Sequence, residues 1–447
     1  MPPIATDRYA ARCAAALDQA LGQVPAYRSW RAHDPGPGAP LDARYRALPA
    51  LTKQLMNLHG VAAFVTAGLD LDRALRDGAV ELVATSGTTE DRIQNVWDQA
   101  WWDASERASW GLNAHARRAA TGDHPEAILV NPLNVGVASE TPLPMARRRL
   151  GRLLFLNELV DPLAWPDRHL ARMLDELEAF RPAVLEANPS YLSLLCRYAA
   201  RAGRRPFQPA LVTLTYEYPS RLHLRAIRAA FDAPVASSYG STEAAYVFME
   251  CERGRLHQNT ESCRVDFLPF AAAHGAPGVG KLLITTFDNP WRALIRFDAG
   301  DLGRLAEGPC PCGRTDGLTL SALEGRAVNL TCTPEGALVT QDDVDARLAA
   351  VEGLAAYQLL QLDARRYALT VVAEGDEAAV RRRAERALRA RFGERAEVAV
   401  TSAAALGPEP SGKFRLVKTA LALDSMAFVE PGVRPPVPAE LRPAGAP

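Results

Sequence analysis

From about residue 78 the apolar positions alternate between two spacings. Short apolar runs at Ala79 to Ala84, Ala183 to Leu185, Leu211 to Leu214 and Val235 to Ser238 have the length of strands. Between them the apolar residues fall at helical spacing. Leu170, Met173, Leu174, Leu177 and Phe180 mark one face of a helix, and Pro189-Ser190 opens another that Gly203 can close. Arg221 to Phe231 predicts a third, and Asp103-x-x-Glu106 reads as a capping box starting a helix that runs to about Arg118. Repeated strand–helix–strand order predicts parallel sheets covered by helices. The first 75 or so residues read as helices and loops, broken by the DPGPGAP turn at 34–40.

The pattern changes twice further on. After about residue 245 strands dominate, including Lys281 to Thr286 and Ala293 to Phe297. After Gly325 a hairpin at 357–362 and 367–372, a helix at 377–392 and a strand at 398–401 form a compact α+β pattern. The expected fold class is α/β. A large N-terminal domain spans 1–323, with mostly parallel helix-covered sheets and a β-rich part. A small α+β C-terminal domain spans 324–425, and 426–447 is a proline-rich tail read as extended or disordered.

Charge and composition narrow the function. There are 51 basic and 52 acidic residues in 447, a net charge of -1, so nothing drives general nucleic-acid binding. No run of 18 apolar residues occurs, so no membrane span is expected. The start, MPPIATDRYAARC, lacks a signal-peptide core, and seven cysteines are an odd count, so the expected setting is a reducing cytoplasm without a disulfide framework. Oligomeric state is not legible. Lysine occurs only at 53, 281, 413 and 418. That rarity fits a GC-rich codon bias toward arginine, and it makes each lysine a stronger functional candidate.

Five short motifs carry chemistry. TSGTTEDR at 85–92 follows a strand and concentrates hydroxyls and backbone amides that can cradle phosphate, although it lacks the ending of a Walker A loop. YGSTE at 239–243 offers a tyrosine for stacking, a glycine for close approach, and a hydroxyl and carboxylate for phosphate and Mg2+. DAGD at 298–301 places a carboxylate where ribose hydroxyls can donate. Glu324-Gly325-Arg326 marks the switch to the small domain, and Ser411-Gly412-Lys413 sets a lysine on a glycine-flanked loop. Each alone is also compatible with a surface turn.

In this order and spacing the motifs resemble the adenylate-forming superfamily of acyl-CoA synthetases, adenylation domains and luciferases, and within it the phenylacetate–CoA ligase-like branch. The resemblance covers about 80–420. It implies that Ser86, Gly87, Thr88 and Thr89 form the phosphate loop, that Tyr216 and Tyr239 neighbour the adenine, and that Gly240 and Ser241 also belong to the nucleotide site. Glu217 lies in TYEYP, which is similar to the branch's nucleotide-binding segment. Thr242 would contact phosphate, Glu243 would carry Mg2+, Asp301 with Arg326 would hold the ribose, and Lys413 would bridge substrate carboxylate and α-phosphate on a mobile small domain. The implied reaction is ATP-dependent, AMP-forming activation of a small organic, aromatic acid, with transfer to a thiol, most often that of CoA. An amine acceptor and a non-catalytic nucleotide-binding relative are the alternatives.

The chain departs from the pattern in places. Glu90 stands in the phosphate loop and Arg92 replaces a lysine, and Val328 followed by Asn329 occupies the hinge position where an aspartate is usual. The histidines at 115, 124, 169 and 223 lack paired context and read as structural. Trp97, Trp101, Trp102 and Trp110 read as core or as a wall of the acyl pocket. Finally, Cys251 and His257 in CERGRLH and Cys310 and Cys312 in CPCGR form two close pairs on separate loops, the usual build of a structural Zn2+ site, with Cys263 in reserve.

Overall fold

A computed structural model describes residues 7–84, 93–409 and 412–441. The chain starts with helices α1 (Asp7–Gln23), α2 (Leu41–Ala47), α3 (Lys53–His59) and α4 (Leu71–Arg76), then the strand pair β1 (Glu81–Ala84) and β2 (Gln94–Trp97). α5 (Gln99–Trp110) and α6 (Ala114–Ala119) follow as two helices. The expected single helix from Asp103 is therefore corrected. Asp98 caps α5, its carboxylate accepting from Ala100 N and Trp101 N, and Asn113 caps α6 after a turn at Gly111-Leu112.

The next segment alternates as expected: β3 (Glu126–Leu129), β4 (Arg149–Leu150), β5 (Leu153–Phe155), α7 (Asp167–Phe180), β6 (Val184–Ala187), α8 (Pro189–Arg201), β7 (Leu211–Leu214), α9 (Arg221–Ala230) and β8 (Val235–Ser241). Strands β9 (Ala245–Glu250), β10 (Leu256–Gln258), β11 (Cys263–Pro269), β12 (Val279–Thr286), β13 (Phe297–Leu305) and β14 (Thr319–Arg326) complete one twelve-stranded sheet, in the order β11-β12-β13-β14-β10-β9-β8-β7-β6-β3-β5-β4. Its β8-β7-β6-β3-β5 half is parallel and the β11-to-β9 half antiparallel. β8 belongs to both, pairing parallel with β7 and antiparallel with β9. Buried Leu170, Met173, Leu174 and Leu177 of α7 pack with Leu185, Val212 and α8 into one core. Burying each such side chain contributes roughly 1.5–3 kcal/mol.

The expected strand at Ala293 to Phe297 does not form before Phe297. Tyr27 Oη donates to Ala293 O (2.9 Å) and accepts from Ile295 N (3.1 Å), and Arg296 adopts φ 51°, so the segment bends around a buried phenol.

Beyond β14 come β15 (Thr331–Cys332), β16 (Leu338–Val339), α10 (Gln341–Leu348), β17 (Leu354–Gln361), β18 (Arg366–Ala373), α11 (Glu377–Phe392), β19 (Glu397–Ser402) and β20 (Val417–Thr419). β17 to β20 form a separate sheet, ordered β19-β18-β17-β20, with its own core around Tyr357, Leu369, Val380 and Phe392. The proline-rich end differs from its expected extended state through residue 441. Val429 is fully buried and bridges Phe270, Glu430 N donates to Pro269 O (2.9 Å), and Lys281 Nζ donates to Ser425 Oγ (2.7 Å). Apolar Val429, Phe428 and Met426 seat against Phe270 and Leu283, outweighing the polyproline tendency.

Candidate active site

The carboxyl ends of parallel strands are where backbone amides and loop side chains converge on ligands in α/β sheets. Here Asn131 follows β3, Asn188 and Ser190 follow β6, Tyr216 and Glu217 follow β7, and Thr242 and Glu243 follow β8. The SGK loop reaches this edge from the small sheet's side. Phe414 N donates to Glu217 Oε1 (2.9 Å), Ser190 Oγ donates to Glu217 Oε2 (2.8 Å), and Tyr191 Oη donates to Gly412 O (3.3 Å). Burial raises the Glu217 carboxyl above the usual glutamate range.

Lys413 is thereby set in the field of Glu217, Asp301 and Glu243 while keeping a solvent-exposed surface on the cleft. The protein packed around it, joined by the Arg326 guanidinium, lowers its pKa below that of an ordinary lysine.

Asp301 and Arg326 are register partners on β13 and β14, with Asp301 Oδ1 3.7 Å from Arg326 Nε. Tyr239 Oη donates to Asp301 Oδ2 (2.8 Å), and burial pushes the Asp301 carboxyl up. Gly240 is required by packing, because a Cβ there would sit 2.2 Å from Ala245 O. Ser241 Oγ accepts from Ala244 N (3.1 Å), and Thr242 is half-buried. Tyr216 has φ 74° and an exposed ring, and its hydroxyl hydrogen-bonds the Glu186 carboxylate. The phosphate-loop residues Ser86, Gly87, Thr88, Thr89 and Arg92 lie outside the described residues, as does Ser411.

Reading the sequence did not single out one partner. Buried Glu243 pairs with Lys53 Nζ of α3 at 3.6 Å. The available signal was the scarcity of lysine.

At the position where the resemblance implies a hinge, Val328 is exposed, whereas Asn329 is buried, donating to Gln341 Oε1 (3.1 Å) and accepting from Arg415 (2.9 Å). Glu324 is held by Arg304 and by the Thr340 hydroxyl that caps α10.

Cys251 directly follows β9 and Cys310 and Cys312 lie between β13 and β14, but His257 sits in β10 rather than on the loop expected. One donor atom from each of Cys251, His257, Cys310 and Cys312 lies within 4.8 Å of the others. Cys251 Sγ is 3.7 Å from Cys310 Sγ, and Cys312 Sγ is 3.2 Å from His257 Nε2. Two thiolates about 2.3 Å from a tetrahedral zinc stand roughly 3.8 Å apart, so the sulfur spacing fits the ion. His257 Nδ1 faces Thr319 Oγ1 (3.3 Å), leaving Nε2 toward the cluster, and burial holds the ring neutral with a pKa near 4. Cys263 stays in the core, donating to Asn259 O, and is not needed.

No protein-family model matches the sequence, and no curated protein matches it. Solved structures do. 2-Hydroxyisobutyryl-CoA ligase in the postadenylation state matches with TM-score 0.66 at 18% identity, over 94% of this chain and 90% of that one. The same ligase in the thioesterification state gives 0.52 at 19% identity, over 92% and 89%. An amide bond synthetase from Marinactinospora thermotolerans gives 0.51 at 15% identity, over 91% of each chain. The fold is that of the adenylate-forming enzymes.

Proposed function

We propose that the protein is an AMP-forming acid ligase that activates a small carboxylic acid as its acyl-adenylate and passes the acyl group to the thiol of CoA. The observation carrying this reading is the docked loop. Glu217 fixes Phe414 N, and the adjacent ammonium of Lys413 is held against a cleft lined by Asp301 and Glu243. The reading assigns residues 324–425 to a unit that delivers this lysine.

A carboxylate attacks poorly and is attacked poorly, because both it and ATP are anionic and its own leaving group is an oxide. Attack of a carboxylate oxygen on the α-phosphorus expels pyrophosphate and leaves a mixed anhydride whose AMP departs easily. Lys413 would offset the repulsion between the two anions and stabilise the charge that develops on the α-phosphoryl oxygens. Asp301, Tyr239 and Arg326 would orient the ribose, and fixed orientation supplies much of the acceleration. Glu243 and Thr242 would hold Mg2+, which neutralises phosphate charge when bound. The four-residue cysteine and histidine cluster would hold a structural zinc that ties the segment at 251–257 to that at 310–312.

The test is ATP–pyrophosphate exchange with a panel of acids. Lys413→Ala should lower exchange by several orders of magnitude and leave ATP binding intact; wild-type-like exchange in that variant would remove the assignment. An amine acceptor is the second reading, favoured by the shared fold with an amide bond synthetase and by Val328 at the hinge. AMP release accelerated by an amine but not by CoA would establish it.

A further inference from the structure

Behind the site lies a polar cluster that this chemistry does not use. Glu106 of α5, Glu126 of β3 and Glu186 of β6 bring one carboxylate oxygen each within 4.8 Å of the others. Register places Glu126 beside Val184 and Glu186 beside Thr213, on the sheet face that α5 and α6 cover; Ala236 and Ser238 of β8 share that face. Arg152 pairs with Glu126 at 2.6 Å, and His124 lies 3.4 Å from it. The other two carboxylates have phenols for partners: Tyr246 Oη donates to Glu106 (2.9 Å) and Tyr216 Oη to Glu186. Burial, and then the charge of Glu126, raise both, Glu106 to about 7.

Two further observations point to a missing ligand. Ser238 is 8% exposed, and its hydroxyl has no partner among the described residues. Asn95 is fully buried, with neither amide atom bonded among the described residues. Asn95 shares a face of β2 with Trp97, which stacks on Trp102 at 4.2 Å, and Trp102 meets Tyr246 at 5.3 Å. Buried polar atoms without partners are rare and call for an occupant. The same tyrosines border this carboxylate chamber and lie beside reaction-site residues in the chain. Tyr216 precedes Glu217, which holds the Lys413 loop, and Tyr246 lies three residues after Glu243.

We propose that this chamber receives the tail of the activated acid, and that the tail carries a protonated amine. The inference rests on the adenylation reading above. An ammonium would complement the two carboxylates that lack a cationic hydrogen-bond partner, and its three donors can be shared between them. The orphaned Asn95 and Ser238 oxygens supply further acceptors. Trp97, Trp102 and Tyr246 offer flat walls for the intervening hydrocarbon and π faces for the cation.

The test compares matched acids in ATP–pyrophosphate exchange: 4-(aminomethyl)benzoate against 4-ethylbenzoate, and 6-aminohexanoate against heptanoate. The amino member of at least one pair should have a kcat/KM at least tenfold higher. Glu106→Gln and Glu186→Gln should each cut that ratio at least tenfold without changing KM for ATP. Calorimetric titration with benzylamine gives a readout independent of turnover, with binding expected in the wild type and lost in both variants. Exchange with the neutral acids but not the amino acids, or a ratio unchanged in both variants, overturns the cationic tail and leaves adenylation standing. Benzylamine binding without exchange for any acid supports the chamber and removes the adenylation reading. A divalent metal retained with the wild type and lost in Glu186→Gln overturns the proposal in favour of a metal site.

Discussion

Gly412 is, with Phe414, a point at which the lysine loop meets the large sheet, and replacing it with alanine should uncouple the two. Gly412 has φ 78°, and its ideal Cβ would lie 1.6 Å from Asn131 Nδ2 and 2.8 Å from Asn131 Cγ. The left-handed backbone costs an alanine about 1–2 kcal/mol. Asn131 is buried, and its Oδ1 accepts from Leu133 N (3.0 Å); swinging it away forfeits a capping bond of about 0.5–2 kcal/mol. The sum, roughly 1.5–4 kcal/mol against the docked loop, corresponds to about a 10- to 900-fold loss of its population. ATP–pyrophosphate exchange should fall by that factor, while ATP affinity, which the proposed function assigns to Asp301, Tyr239 and Arg326, should hold. Adding Asn131→Ala removes the clashing atoms and should recover the displacement part, leaving only the backbone part. Exchange in Gly412→Ala within threefold of wild type would refute the docking argument.

Three further outcomes are expected. Asp301→Asn should weaken ATP binding about tenfold, the worth of one lost charged hydrogen bond, and an unchanged dissociation constant by calorimetry counts against the ribose role. Protein purified without chelator should contain about one zinc per chain; Cys310→Ser or chelation should lower Tm first and leave exchange at 25 °C largely intact, while less than about a tenth of an equivalent by elemental analysis excludes the site. For Glu106 the folded pKa, about 7, stands above the ordinary 4.5, so its contribution to stability is present below 4.5 and lost as pH rises through 7. Glu106→Gln should therefore raise Tm relative to wild type more at pH 8 than at pH 5, and a pH-independent difference would contradict the raised pKa.

What could be read from the chain was mostly local. The four-residue run Leu211–Leu214 and the helix at Arg221 have bounds set by neighbours in sequence, and both form where the apolar pattern places them. TYEYP and YGSTE fell on one edge because they follow β7 and β8, parallel strands whose ends share an edge by construction. The misses are long-range. Lys53 meets Glu243 across the fold, and Tyr27 bends the segment at Ala293, pairings that no window of sequence contains. Asp103 looked like a cap, but Asp98 lies where the chain enters the helix. The carboxylate chamber had a readable trace in Glu186, a lone acid within an apolar strand. Its partners Glu106 and Glu126 come from other elements.

The chain does not end in the small sheet but returns to the large one. It leaves along Arg326 and comes back through Ser425 and Val429, clasped against Lys281 and Phe270. Two attachments to the large sheet shorten the excursions open to the residues between them, so the Lys413 loop would search a smaller volume for its docked position than a segment tethered at one end.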